Sequence, residues 1–243
     1  MRKYWSFFKM RLMAGLQYRA AALAGMSTQF AWGAMEILLY RAFWLEHPER
    51  FPMGMEALSS YIWLQQAFLT LFAMWQWEYD ILESVKTGAV SYELLRPADM
   101  YSMWMSRSIA NRLARAALRM VPVILVASLL PAPWGLRVRI SPAAFGVFLL
   151  SMALMVLVVC AYSLFVCSLT FYLTDPNGIM VLSVAAADLL GGAIVPLRIF
   201  SGDIPLGETP AVMGLQAFWA AALILSGYLL TRGGLRRAVI LGG

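Results

Sequence analysis

Long apolar stretches separated by short polar segments dominate the chain. Crossing about 30 Å of hydrocarbon takes about 20 helical residues, and six stretches come close to that length or exceed it. We therefore predict an all-α membrane protein with six transmembrane helices in a single domain, residues 1–243. The predicted spans are residues 21–44, 57–75, 115–131, 142–173, 178–200 and 211–230.

Two polar regions interrupt this pattern. Residues 1–19 mix basic side chains with Trp5, Phe7 and Phe8, which predicts an amphipathic helix lying on the membrane surface. The longest polar interval, residues 77–114, lies between spans two and three. Arg112, Arg115 and Arg119 continue from it at helical spacing, so we expect one basic face entering the headgroup region.

Within this interval, the pattern predicts a short helix from Glu78 to Lys86. Ile81, Leu82 and Val85 would share one face of it, and that face needs either the inner leaflet or the groove of a partner to cover it. Gly88 can end the helix in the left-handed conformation, and Pro97 interrupts the chain again. On pattern alone, the interval is either a solvated loop with an interfacial helix or a docking element for a cytoplasmic partner.

Composition excludes a soluble fold. Hydrophobic residues make up 61% of the chain and charged residues 13%, whereas soluble domains have about 45–50% and about 25%. A water-soluble core of this size could not hide that excess, so lipid must be the solvent.

The charge distribution predicts the orientation. The net charge is +6, with 19 basic residues. Five of these fall in the predicted external loops or at the adjoining outer ends of spans, and fourteen on the inside, which obeys the positive-inside rule and predicts both termini in the cytoplasm. Because the positive charge follows the membrane topology, we expect no nucleic-acid partner.

Two carboxylates lie at membrane depth, Glu36 in the first span and Asp188 in the fifth. A charge at the bilayer centre costs about 2.5–3.5 kcal/mol on insertion scales, so each should face protein or water. They could form a polar pathway, an inter-helix hydrogen bond at a dimer seam, or a purely structural contact. A proton-coupled secondary transporter using Glu36 and Asp188 is the alternative function, although the sequence lacks the two-fold repeat typical of that class.

Catalytic and metal-binding patterns are missing from the sequence. Cys160 and Cys167 are two helical turns apart, about 10 Å, too far for a disulfide. His47 has no second histidine or cysteine beside it, so we expect no metal. The phosphate-cradling pattern GxxxxGK[ST] is absent, so the chain should not hydrolyse ATP by that chemistry. We expect a non-enzymatic chain without a cofactor of its own.

Lys86-Thr87-Gly88 is followed by Tyr92-Glu93-Leu94-Leu95-Arg96-Pro97. This motif is similar to the stretch between spans two and three of the ABC-2 type transporter permeases, in particular the bacterial subgroup of about 260 residues that accompanies a separate ATPase subunit. Lys3-Tyr4 with Gln17-Tyr18-Arg19-Ala20 resembles the opening of that subgroup, and Gly234-Leu235-Arg236-Arg237 through Gly242-Gly243 its ending. The motifs lie in the family's order and spacing.

The resemblance implies the transmembrane permease subunit of an ATP-driven exporter in the bacterial inner membrane. It implies an ATP-binding partner that carries ATP and Mg, and a second permease, identical or related, that completes the path. A coupling helix at about Asp80–Lys86 would dock on the ATPase. The implied coupling residues are Asp80, Ile81, Leu82, Glu83, Val85, Lys86, Gly88, Leu94, Leu95, Arg96 and Pro97.

Two further expectations follow from the resemblance. If the apolar face of the coupling helix contacts the ATPase, Leu82→Asp or Val85→Asp should uncouple transport and leave the fold intact. The family usually carries hydrophobic half-helices between spans five and six, but here only residues 201–210 join them. A lateral gate or outer lid of that kind is therefore not expected.

Overall fold

The chain is helical through most of the part that the structure describes. The computed structural model describes residues 2–17, 19–51, 53–137, 141–173, 176–190, 204–205 and 207–241, and these ranges contain no strand. The described helices are α1 Arg2–Gly15, α2 Arg19–Glu46, a 3-10 turn Pro48–Arg50, α3 Met55–Phe72, α4 Tyr79–Lys86, α5 Val90–Leu94, α6 Met100–Leu129, α7 Pro142–Leu169, α8 Asn177–Leu190 and α9 Thr209–Leu241.

Helices occupy all six predicted spans, as far as the described ranges reach. By length and composition, two described helices are apolar enough to cross a membrane: α7, and the part of α9 from Thr209 to Arg236. Asn177–Ala187 of α8 is a shorter apolar helix, and residues 191–200 of the fifth span lie outside the described ranges. Because α2, α3 and α6 carry charged or amide side chains, the count of six spans stays a prediction.

Helix α6 begins far earlier than the third span predicted at residue 115. Asp99 caps it, with its Oδ2 accepting a hydrogen bond from the Ser102 N–H at 2.8 Å. Its 30 residues reach about 45 Å, more than a bilayer core needs. Residues 100–114 of the polar interval are thus a continuous helical extension of span three, and Pro122 lies inside the helix without ending it.

Helix α3 is central to one of two apolar clusters. The first cluster joins α3 to α2, α6 and α7 through residues that include Ile37, Trp63, Val123 and Phe148. The second gathers the buried residues of α4 and α5 against α6, α7 and α8. Cys160 and Cys167 are free and buried in these clusters, the packing role that their spacing predicts.

Helix α1 packs along α6. The Lys3 ammonium donates to the Pro97 carbonyl, and the Asp99 N–H donates to the Tyr4 hydroxyl at 3.0 Å. At the other end of α1, a Cβ added to Gly15 would lie 2.6 Å from the Ala114 Cβ, so glycine permits the close approach. Since no residue of α1 is fully buried, the helix keeps an outer face, and its place on the membrane surface stays a prediction.

Candidate functional site at the α4–α5 elbow

Helix α4 forms one residue later than predicted and ends where predicted. Asp80 in its first turn and Lys86 in its last turn have the charges that the helix dipole favours. The Thr87 N–H and hydroxyl both donate to the Glu83 carbonyl, at 2.9 and 2.8 Å, which closes the helix. Gly88 then takes φ +74°, a left-handed conformation that glycine adopts without strain. We call residues 79–97 the elbow.

The apolar face of α4 packs on the chain itself. Ile81 is fully buried and Leu82 is 4% exposed, in the cluster that contains Trp104, Leu164 and Met180. This corrects our expectation that the inner leaflet or a partner's groove would cover the face. Helical periodicity reports that a face is buried but not which surface buries it. With Leu82 in the core, Leu82→Asp should destabilise the fold, contrary to the expectation from the sequence.

The opposite face of the elbow is exposed. Tyr79, Glu83 and Lys86 project from α4 into solvent. From α5 onward, the exposed residues include apolar ones: Tyr92 and Leu94 are open, and Leu95 is 81% exposed. Arg96 and Pro97 complete this exposed edge, whereas Val85 is half-buried against the inner cluster.

A groove runs beside this face. It measures about 590 Å³ and lies between α4 and the start of α8, with Tyr79, Glu83 and Lys86 on one side and Pro176 and Met180 on the other. It combines carboxylate, ammonium and apolar groups, so it can receive a protein surface of mixed polarity. Among its described lining residues, the Ser84 and Thr87 hydroxyls donate to backbone carbonyls and not to a base.

Glu93 fixes the second half of the elbow, although its motif gave no reason to assign it that role. The Trp104 indole N–H donates to Glu93 Oε2 at 2.6 Å, and Trp104 itself is buried. Because an indole has a single donor, this bond orients α5 against α6.

A buried ion pair anchors the first residue before α4. Glu78 is 5% exposed, and its Oε2 lies 3.7 Å from Arg107 Nε and accepts from Asn111 Nδ2 at 3.1 Å. Arg107 also approaches Asp80 Oδ2 at 3.9 Å. Removing one partner from a buried pair leaves an uncompensated charge and typically costs about 3–5 kcal/mol. Glu78 therefore holds α4 to α6.

Arg112 joins three helices. Its guanidinium donates to the carbonyls of Ala73 and Gln76, at 2.8 and 3.2 Å, and to the Ser163 hydroxyl on α7 at 3.1 Å. The carbonyls follow α3, where a helix end has no partners of its own. Arg112 is fully buried, which corrects the expectation that it enters the headgroup region.

No sequence pattern predicted that Glu78, Arg107 and Arg112 are buried. The sequence did contain a signal for their burial. Charged residues are dense along what is one uninterrupted helix, in a chain that has few charges. Glu78, directly before the elbow, contacts Arg107 and Asn111 on α6. Arg112, on the same helix, contacts Ser163 on α7 and carbonyls after α3.

The two membrane-depth acids belong to helices outside the elbow, Glu36 to α2 and Asp188 to α8. Glu36 Oε2 accepts from Gln66 Nε2 at 3.3 Å, and Gln29 Nε2 donates to the Gln66 carbonyl at 2.9 Å. Glu36 thus faces α3, in line with its desolvation cost. Asp188 belongs to α8, but its side chain lies outside the described residues. So do residues 201–203 and 206 of the short connection between spans five and six.

Comparison with known families decides the family. A sequence model of the ABC-2 family transporter proteins matches residues 30–209, about three quarters of the chain. The chain belongs to the ABC-2 transporter family. The matched range of this ABC-2 protein includes the elbow, Glu36 and the helices from α3 to α8. No curated protein matches the sequence.

Membership settles the broad role. ABC-2 membrane proteins are transport subunits that are not themselves catalytic and generally work with an ATP-binding subunit. This ABC-2 protein is therefore a membrane permease. Within the described residues, no group of three histidine, cysteine or acidic side chains could hold a metal ion.

Proposed function

We propose that the chain is the permease subunit of an ATP-driven exporter in the bacterial inner membrane, with both termini in the cytoplasm. A separate subunit would bind ATP and Mg and dock on the elbow, and a second permease, identical or related, would complete the path. The observation that carries the proposal is the elbow itself. Its inner face is held in the core, while its outer face is exposed beside a groove.

The contact residues that we propose differ in part from those implied by the resemblance. Glu83, Lys86, Leu94, Leu95 and the adjoining Arg96-Pro97 keep a contact role because they are exposed. We add Tyr79 and Tyr92 for the same reason, since exposed aromatic residues are favoured at interfaces. Ile81 and Leu82 hold the elbow in place, together with the half-buried Val85, and Gly88 sets its angle.

The polar network supplies a route for coupling. A partner that moves the elbow would displace Glu78 and, through Arg107, helix α6. The Arg112 contacts would carry the same displacement to the end of α3 and to α7. Because Arg107 and Arg112 both lie on α6, movement of the elbow would be transmitted to several spans through this one helix.

The test pairs an exposed leucine with a buried one. Co-expression with a candidate ATPase subunit, followed by co-purification and a transport assay, should show that Leu95→Asp loses subunit binding at an unchanged melting temperature. Leu82→Asp should instead lower the melting temperature, because a carboxylate replaces a buried leucine. For charge, Lys86→Glu should weaken binding, and Glu49→Lys, in the predicted external loop, is the matched control.

The three exposed-site variants distinguish docking at the elbow from a general effect of charge reversal. Normal subunit binding and transport in both Leu95→Asp and Lys86→Glu would mean that the elbow is not the docking element. Loss of binding in Glu49→Lys as well would show that the effect comes from charge reversal in general and not from this site.

A further inference from the structure

Three arginines line a cavity that the proposed function does not use. The cavity measures about 440 Å³ and lies where α1 and the start of α2 meet α6. Arg11, Arg115 and Arg119 line it, together with Asn111 and small residues such as Ala14. Its size falls within the range of about 300–1,000 Å³ that is typical of small-molecule sites.

The positive charge in this cavity is not balanced by the described residues. Asp80 is the one acid among the described lining residues, and its carboxylate is shared with Arg107 at 3.9 Å. Arg115 donates to a neutral partner, the Gln76 amide oxygen at 3.0 Å. None of the three lining arginines forms an ion pair with a described acid.

The Arg11 guanidinium has an N–H donor that forms no hydrogen bond with the described residues. Its guanidinium carbon lies 5.4 Å from the centre of the Phe7 ring, a contact that leaves the N–H donors free. Its Nε is buried without a hydrogen-bond partner. Leaving a buried donor of a charged group unsatisfied costs more than about 1–3 kcal/mol, so such a group is suited to an acceptor from outside the chain.

Backbone packing holds the arginines in place. Arg115 and Arg119 are one helical turn apart on the same face of α6. A Cβ added to Gly25 of α2 would lie 2.3 Å from the Arg119 Cζ, so the guanidinium rests directly on the glycine backbone. The close contact between Gly15 and Ala114 places α1, which carries Arg11, directly against α6.

We propose that this cavity binds a phosphate-bearing anion, with its oxygens accepting hydrogen bonds from Arg11, Arg115 and Arg119. Guanidinium groups match phosphate geometry bidentately, and such charge-assisted bonds are stronger than neutral ones. The phosphate comes either from the headgroup of an anionic inner-leaflet lipid or from a free phosphorylated solute. Binding of a lipid headgroup assumes that α1 lies on the cytoplasmic side, as proposed above. Binding of the anion itself does not require the ATPase subunit.

Lipid titration of the purified full chain tests the proposal without any ATPase subunit. Native mass spectrometry in detergent would measure retention of dioleoyl phosphatidylglycerol and of dioleoyl phosphatidylcholine, which has the same tails and no net charge. Each arginine should contribute about a fivefold factor in affinity for the anionic lipid, from about 1 kcal/mol per basic residue. Arg11→Gln with Arg119→Gln should therefore bind about 25-fold more weakly.

Two controls make the result specific. Lys9→Gln removes one charge from the exposed side of α1 and should keep wild-type binding. Gly25→Leu keeps every charge but displaces the Arg119 guanidinium, so it should weaken binding about fivefold by the same estimate. If the double variant has a lowered melting temperature, the single variant Arg11→Gln replaces it as the test, and its affinity for the anionic lipid should fall about fivefold.

Competition with inorganic phosphate identifies the source. Displacement of phosphatidylglycerol by millimolar phosphate would assign the site to a phosphorylated solute, and its absence would assign it to lipid; both outcomes support an anion site. Equal retention of the two lipids with no phosphate binding would overturn the proposal. So would wild-type affinity in the double variant. Failure of the elbow variants to uncouple transport would not affect this result.

Discussion

The ion pair between Glu78 and Arg107 allows a quantitative test of how the elbow is anchored. Glu78→Leu would leave Arg107 buried, with the exposed Asp80 as its remaining acidic partner among the described residues, and would remove the bond from Asn111. Breaking a buried pair costs about 3–5 kcal/mol. The distance of 3.7 Å between Nε and Oε2 exceeds hydrogen-bond length, so we expect the lower end, about 3 kcal/mol.

The double variant distinguishes pairing from simple loss of contacts. Replacing a buried pair by apolar residues of similar size is often close to neutral. Glu78→Leu with Arg107→Met should therefore recover most of the stability lost in either single variant. At about 2–4 °C per kcal/mol for a chain of this length, each single change should lower the melting temperature by about 6–12 °C.

Thermal unfolding of the detergent-purified chain, followed by tryptophan fluorescence, measures all three variants. Glu83→Leu, on the exposed side of the same helix, is the matched control and should change stability by less than about 0.5 kcal/mol. An additive loss in the double variant, or single variants indistinguishable from Glu83→Leu, would refute the view that a paired charge anchors the elbow.

Three further predictions address the elbow angle, the membrane acid and the topology. Gly88→Val should cost about 1–3 kcal/mol and reduce transport, because a branched residue resists φ +74°; Gly178→Val, a helical glycine in open space, should have a smaller effect on transport. Glu36→Gln should keep ATP-driven transport within about twofold, since a glutamine oxygen can still accept from Gln66; abolished transport would instead favour proton coupling. In intact cells, an impermeant thiol reagent should label His47→Cys and leave Ala89→Cys unlabelled, and the reverse would refute the predicted orientation.

The sequence by itself determined the positions of the long apolar helices and of the short helix before Gly88, although it did not predict α5 or the start of α6 at residue 100. Apolar runs of about 20 residues read directly as long helices, because backbone groups in lipid must be satisfied internally. The helix before Gly88 and the left-handed glycine follow from local rules as well, since helix periodicity and positive φ depend on neighbours a few residues away. The family could also be predicted from the sequence, because its short motifs occur in the family's order along the chain.

Only the tertiary structure decided which surface each polar or apolar face meets. Ile81 and Leu82 had to be buried, but their partners on α6 and α7 lie at least 18 residues away in sequence. Arg112 was assigned to the headgroup region because its spacing matches that of two other arginines. Its actual acceptors are carbonyls in the last turn of α3 and just after it, 36–41 positions earlier, and the Ser163 hydroxyl on α7. A sequence pattern records how far a side chain must be removed from water, whereas long-range packing decides which group replaces the water.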